Sequence, residues 1–319
     1  MKAYNQLTYT QRCQISTLLQ EGLNHTEIAC RIKCSQSTVS REIKLNTGQR
    51  GYRHNQADQK AQARRLCAVV PHKMTPTLIN LIEKKLRSKW SPEQISGWLS
   101  REKNTQISHE TIYRHVWDNK HNGGDLYVHL THKIKGYRRR ANTQDSRGKI
   151  PNRVSIHERP EVVETRERIG DWEIDLMIGK GHSGAMLTIV ERSTRFSVAA
   201  KINDKTAKSV TAATLALLEP VKDFVLTITA DNGKEFSGHE AIAKALECDV
   251  HFADPYSSWQ RGTNENTNGL LRQYWPKDTD FKTVPHSEVD DVLKQLNDRP
   301  RKVLDYQTPA DKFLSEIKH

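Results

Sequence analysis

TITADNGKEF, residues 227–236, ends an apolar, strand-like run on a carboxylate. Residues 225–230 (VLTITA) have the β-branched composition of a strand. Asp231 closes the run, and Asn232 and Gly233, both suited to a tight turn, follow at once. Either the acid is ordinary turn chemistry, or it is held at a sheet edge to bind something.

The residues around this stretch predict an α/β layer. DWEIDLMIG (171–179), AMLTIVE (185–191) and RFSVAAKI (195–202) read as three strands at hairpin distances. A helix is expected over 205–220, with Val210, Thr214, Leu217 and Leu218 on one side and Pro220 at its end. The strand at 225–230, a helix at 239–246, a strand at 248–253 and helices at 262–274 and 287–297 complete a five-stranded mixed sheet. Side chains alternate along a strand, so Asp171, Glu173 and Asp175 share one face, opposite Trp172, Ile174 and Leu176. Asp175 lies beside apolar residues, where a bare carboxylate is expensive unless it holds a cation or a hydrogen-bond donor. Glu265 stands early on a predicted helix in SSWQRGTNENTNGLLRQYW (257–275). Arg272, seven residues on, lies two turns along the same face and could bind phosphate.

Upstream, the charge changes sign. Residues 1–150 carry 27 Lys/Arg against 11 Asp/Glu, whereas residues 151–319 carry 23 against 27. Such polarisation assigns the first half to a polyanion and the second to a different task. TQRCQISTLLQEGLNHTEIACRIKCSQSTVSREIK (10–44) predicts three short helices. Ile15, Leu18 and Leu19 face inward on the first, which Gly22 stops. Thr26 can cap the second, where Ile28, Ala29 and Ile32 are buried; Val39 and Ile43 are the inner residues of the third. The third helix then presents Gln36, Ser37, Thr38, Ser40, Arg41 and Lys44, the short polar groups and Arg that read base edges from the major groove in a helix-turn-helix. Its turn lacks the glycine often found there. A second such unit is expected from the capping box at Ser91-Pro92-Glu93-Gln94 and the helix opened by Ser108, with His109, Thr111 and Arg114 outward. Residues 119–153 form a basic run containing Lys133, Lys135, Arg138, Arg139, Arg140, Arg147, Lys149 and Arg153, which can lie along phosphates by counterion release.

The domains expected are a helix-turn-helix over 1–50, a second helical unit over 51–120, a basic linker over 121–158 and an α/β domain over 159–319. The five cysteines form no CxxC pair and no zinc spacing, which suits a reducing cytoplasm; Cys30 and Cys34 read as small packing residues. No apolar run approaches a bilayer's thickness, and the N-terminus lacks a secretory signal.

Three motifs taken together carry a resemblance. Trp172-x-x-Asp175 on the first strand, Asp231-Asn-Gly-x-Glu-Phe236 ending the fourth, and Gly262-x-x-Glu265-Asn266 on a helix resemble the ribonuclease H-like catalytic core of retroviral integrases and transposases. Thirty-three residues separate Asp231 from Glu265. With RVSIHERP (153–160), GDWEIDLMIGKG (170–181) and LNDRPRKVLDYQTPADKF (296–313), nearly the whole chain is similar to the insertion sequence 30 family of bacterial transposases.

The resemblance implies a catalytic and metal-binding triad of Asp175, Asp231 and Glu265. It implies two Mg2+ (or Mn2+) ions about 4 Å apart, which suit oxygen ligands. Glu173 could assist or replace Asp175; Asn232, Asn266 and Asn268 are supporting candidates. The activity implied is cleavage at terminal inverted repeats followed by attack of the freed 3′-hydroxyl on target DNA. A homodimer or larger assembly on double-stranded DNA is implied, acting in the cytoplasm on the nucleoid, with no membrane partner. The competing expectations are a non-catalytic DNA-binding regulator and a plain nuclease.

Overall fold

The computed structural model of the chain describes residues 6–66, 74–130, 150–182, 184–255 and 257–318. The chain divides into two units, Met1–Lys73 and Met74–His319.

In the first unit, α1 (Tyr9–Gln20), α2 (His25–Arg31) and α3 (Gln36–Asn46) close on Leu7, Ile15, Ile28, Ala29, Ile32 and Val39. Thr26 does not cap α2. The preceding Asn24 does, because its side-chain oxygen reaches both the Thr26 and Glu27 amides at 3.0 Å while Glu27 bonds back to the Asn24 amide. The turn into α3 manages without glycine by putting Lys33 in the left-handed region (φ 55°). Cys34 leans on this core, whereas Cys30, expected to pack as well, is exposed.

A fourth helix, α4 (His54–Leu66), belongs to this unit rather than to the following one. Buried Arg12 on α1 bonds Glu42 on α3 at 2.8 Å and Asp58 on α4 at 2.9 Å, so one guanidinium ties three helices together. The boundary expected at residue 50 therefore falls later. The basic and polar surface of α4 hid its tertiary role from a hydrophobic-pattern reading.

The second unit opens with three helices, α5 (Pro76–Arg87), α6 (Pro92–Lys103) and α7 (His109–His121), around Ile82, Leu86, Ile95, Leu99, Ile112 and Val116. The capping box at Ser91 is formed with Gln94, and Ser108 caps α7. Helix α6 is held against the chain's last segment. Glu93 pairs with Lys302 at 2.6 Å, and Gly97 lies so close to the Tyr306 ring that an added Cβ would stand 2.2 Å from it.

The sheet follows: β1 (Val154–Ser155), a short helix α8 (Val162–Thr165), β2 (Asp171–Ile178), β3 (Ala185–Glu191), β4 (Ser197–Ile202), α9 (Ala207–Leu218), β5 (Thr227–Ala230), α10 (His239–Leu246) and β6 (Asp249–Phe252). Three more helices complete the chain: α11 (Gly262–Leu271), α12 (His286–Asn297) and α13 (Pro309–Glu316). The strand order is β1-β6-β5-β2-β3-β4, with β2, β3 and β4 antiparallel and the other neighbours parallel.

Among the described residues the sheet thus has six strands, not five. The sixth, β1, is two residues long and lies in the stretch read as linker, too short to display any alternation. One face of the sheet carries Trp172, Ile174, Leu187, Ile189 and Ile228 against α9, α10 and Phe313 of α13. The other carries Met177 and Met186 against Leu271, Trp275, Val289, Val292 and Leu296, so α11 and α12 cover the side from which the β2 acids project.

Candidate active site

β2 and β5 are parallel neighbours whose pairing ends at Glu173 opposite Thr229. Two residues further on, the same register sets Asp175 beside Asp231, on one face, where the parallel strands run out. The tight turn after β5 is built by the acid itself: Asp231 Oδ1 accepts the Gly233 amide at 2.9 Å. Asn232 braces that turn from behind. It donates to the Ala253 carbonyl beyond β6 and accepts from Arg153, so Arg153 of the basic run ends against a site residue. The remaining basic residues of that run, Lys133 to Lys149, lie outside the described residues.

Asp175 and Asp231 converge on one cation. Arg261 approaches Asp175 Oδ1 at 3.2 Å and Asp231 Oδ2 at 3.7 Å. Asn268 on α11 donates to the other Asp175 oxygen at 2.9 Å, and Thr188 fixes the Asn268 amide by donating to its Oδ1 at 2.9 Å. Burial raises the Asp175 carboxyl above its usual range; Arg261 opposes this, and the neighbouring charge of Asp231 adds to it.

Glu173 shares the face of Asp175 but not its surroundings. It is fully buried, bonds Arg192 at 2.9 Å and accepts the Asn264 amide of α11 at 2.8 Å. Both carboxylate oxygens are engaged in fastening the start of α11 to β2, so Glu173 does not face the Asp pair.

Glu265 sits exposed on the first turn of α11 with no hydrogen bond or ion pair among the described residues. On the helix it stands three residues before Asn268, the residue that bonds Asp175, and it makes no bond to Asp175 itself. Asn266 is likewise exposed. Among the described residues, no three His, Cys, Asp or Glu side chains stand close enough to hold a metal ion. The structure therefore joins two of the three acids and closes them with a guanidinium.

The donor set nevertheless fits a divalent metal. Asp175 and Asp231 offer oxygen only, their side chains are 24% and 31% exposed, and a positive group already stands between them.

Arg272 is spent elsewhere. Its guanidinium donates to the carbonyls of Ile178 at 3.1 Å and Pro276 at 3.2 Å, tying the end of α11 to the end of β2. A phosphate contact from this side chain would have to break that tie.

Of the residues expected on the reading helix α3, Gln36, Ser37, Arg41 and Lys44 are exposed, and Thr38 and Ser40 are half-buried. Ser37 and Thr38 share hydrogen bonds with the capping Ser35 hydroxyl at 2.9 and 2.8 Å. Behind this helix a cavity of about 320 Å³ is lined by Arg41, Arg64 and Arg65. On α7, His109 and Arg114 are exposed, while the Thr111 hydroxyl is engaged with Ser108 at 2.9 Å.

Sequence reasoning passed over Arg261 and Asn264, and gave Arg153 a place in the basic run but none at this site. The quoted stretch 257–275 contains the first two, but a lone Arg before a helix carries no spacing signal. Only the approach of α11 to the sheet reveals what it touches.

The sequence matches the Helix-turn-helix domain family over residues 3–46 and the Integrase core domain family over residues 166–258. It is 45% identical to the transposase for insertion sequence element IS4351 of Bacteroides fragilis, over 98% of this chain and 96% of that one. It is 36% identical to the transposase InsI for insertion sequence element IS30A of Escherichia coli K12, over 97% and 84%. Among solved structures, the catalytic core domain of BIV integrase is 20% identical with a TM-score of 0.36, covering 47% of this chain and 97% of that one.

Proposed function

The chain belongs to the insertion sequence 30 family of transposases, and on that footing we propose that it cuts the ends of its own element and joins them to new DNA at the Asp175–Asp231 site. An integrase-type core implies dependence on a divalent metal. Asp175, Asp231 and Glu265 would hold two Mg2+ or Mn2+ ions. Bound there, the metal supplies Lewis acidity, neutralising charge on the five-coordinate phosphorus and sharpening an attacking oxygen.

The chain's own residues do the rest. Asn268 aims one Asp175 oxygen, and the Gly233 amide fixes Asp231. Glu173, by clamping the Asn264 amide, holds the helix that carries Glu265. Water is the first nucleophile and the freed 3′-hydroxyl the second, both at one site.

The helix-turn-helix supplies the address. Gln36, Ser37, Thr38, Ser40, Arg41 and Lys44 are proposed to read terminal inverted repeats, with His109, Thr111 and Arg114 contributing from the second helical unit. Joining two ends at once calls for a dimer or larger assembly on DNA. The enzyme is expected to work in the cytoplasm on the nucleoid. Among the described residues, no helix is long and apolar enough to cross a membrane.

One observation carries this reading: carboxylates from two neighbouring strands meet at one cationic point where those strands end. Asp231→Asn should keep binding to element ends and lose cleavage and joining by at least about a thousandfold, the scale expected when charge stabilisation at the reacting phosphate is removed. If the variant nicks end DNA at the wild-type rate with Mg2+, the assignment is wrong. A protein that only regulates would show no Mg2+-dependent cleavage in either form, and a plain nuclease would join no pre-cut end.

A further inference from the structure

Arg261 is the last residue of the one-turn segment Ser258–Arg261 that leads into α11. This segment is clasped to its neighbour through the Gln260 side chain. Gln260 bonds Asp254 twice, accepting its amide at 2.7 Å and donating to its carboxylate at 2.9 Å, and His157 bonds the same carboxylate at 2.9 Å. The Arg261 side chain is held differently. It is 12% exposed, only one of its two carboxylate contacts is within hydrogen-bond length, and its Nε is buried without a hydrogen-bond partner among the described residues. The buried guanidinium of Arg12, by contrast, has three acceptors at 2.8–2.9 Å. That of Arg192, whose Nε is likewise unpartnered among the described residues, still bonds Glu173 at 2.9 Å. Arg261 is set apart by having only one carboxylate oxygen within hydrogen-bond length.

A single positive charge between two carboxylates leaves one negative charge over. A divalent ion satisfies the pair better, yet cannot share the space between them with a guanidinium. The displaced head, tethered beside the site, then needs an anion. The group that arrives with the substrate is a phosphodiester, which a guanidinium matches in a bidentate manner.

We propose that Arg261 is a resident counter-cation that gives up the Asp175–Asp231 pair to metal and takes the DNA phosphate at the site, coupling metal loading to arrival of DNA. This rests on the reading of those two residues as metal ligands. Without DNA, metal must evict an arginine that has nowhere to go. With DNA, the eviction is compensated. By reciprocity, metal tightens DNA at this site as much as DNA tightens metal.

The test is Mn2+ binding to the full-length protein, by calorimetry and electron paramagnetic resonance, with and without a duplex carrying the element end. Site-bound Mn2+ is defined as the portion lost in Asp231→Asn. Wild type should bind it about tenfold or more tightly when the duplex is present, within the ordinary range of coupling. Arg261→Gln should bind Mn2+ about tenfold more tightly than wild type without DNA and gain little when DNA is added. Arg261→Lys, which keeps the charge, should stay weak without DNA. A merely structural arginine would not raise metal affinity when removed. Equal Mn2+ affinity and unchanged coupling in Arg261→Gln overturn the proposal; if that variant misfolds, Arg261→Met is read by the same criteria. Loss of no Mn2+ in either Asp175→Asn or Asp231→Asn overturns the ligand assignment itself, a separate failure.

Discussion

Glu173 and Asp175 lie two positions apart on one face of one strand and meet different fates. Alternation alone gave them the same side, and the structure keeps them there. What separates them is the partner across the gap: Arg192 and a helix amide for one, Arg261 and an asparagine for the other. Those partners lie between 19 and 93 residues away in sequence, so no local pattern could assign them. The strand position of the acids was legible; the counter-ions were not.

Further along the sheet, His251 is buried, and burial lowers its pKa below the ordinary histidine value; its Nδ1 has no hydrogen-bond partner among the described residues. The unfolded chain therefore takes up a proton before the folded one does. Stability from this group is present above about pH 6.5 and is lost as pH falls through and below it. His251→Gln should flatten that acid loss, by up to about 1.4 kcal/mol per pH unit. Urea midpoints of both proteins between neutral pH and pH 5 check this; parallel curves would refute it.

At the scale of elements, long amphipathic helices and alternating strands were readable, as were the Ser91 and Ser108 caps. Two features were not. The edge strand β1 makes its case only through its pairing, Val154 opposite His251 and Ser155 opposite Phe252. The start of α2 was misread by two residues because Thr26 and Asn24 both have capping chemistry, and only backbone geometry chooses between them. The choice is testable. Asn24→Ala should cost about 1 kcal/mol of the stability of the first unit, whereas Thr26→Ala should cost no more than a few tenths, since the Thr26 side chain caps nothing. Chemical denaturation followed by far-ultraviolet circular dichroism separates them, and equal losses would contradict the capping geometry.

For the molecule as a whole, the charge reversal near residue 150 announced the division of labour before any fold was assigned. It did not announce where the first unit ends, because the fourth helix joins through the Arg12–Asp58 ion pair and two small buried residues, Ala57 and Ala61, rather than through large apolar side chains. The excess of Lys and Arg in the first half should make DNA binding strongly salt-dependent. If about six or more phosphates are neutralised, affinity for a duplex should fall about a thousandfold between roughly 50 and 200 mM salt. A shallow dependence in fluorescence anisotropy would show that the positive charge lies off the DNA.

The pairing of β2 with β5 imposes one more condition, on length rather than on composition. Because sides swap at every step of a strand, inserting or deleting one residue between Asp171 and Asp175 would turn the acid toward the Trp172 layer without altering any other letter of the motif. Relatives should therefore tolerate substitutions along this stretch far more readily than indels, and a copy of the gene with a single lost codon there should encode a protein that has lost its acid pair.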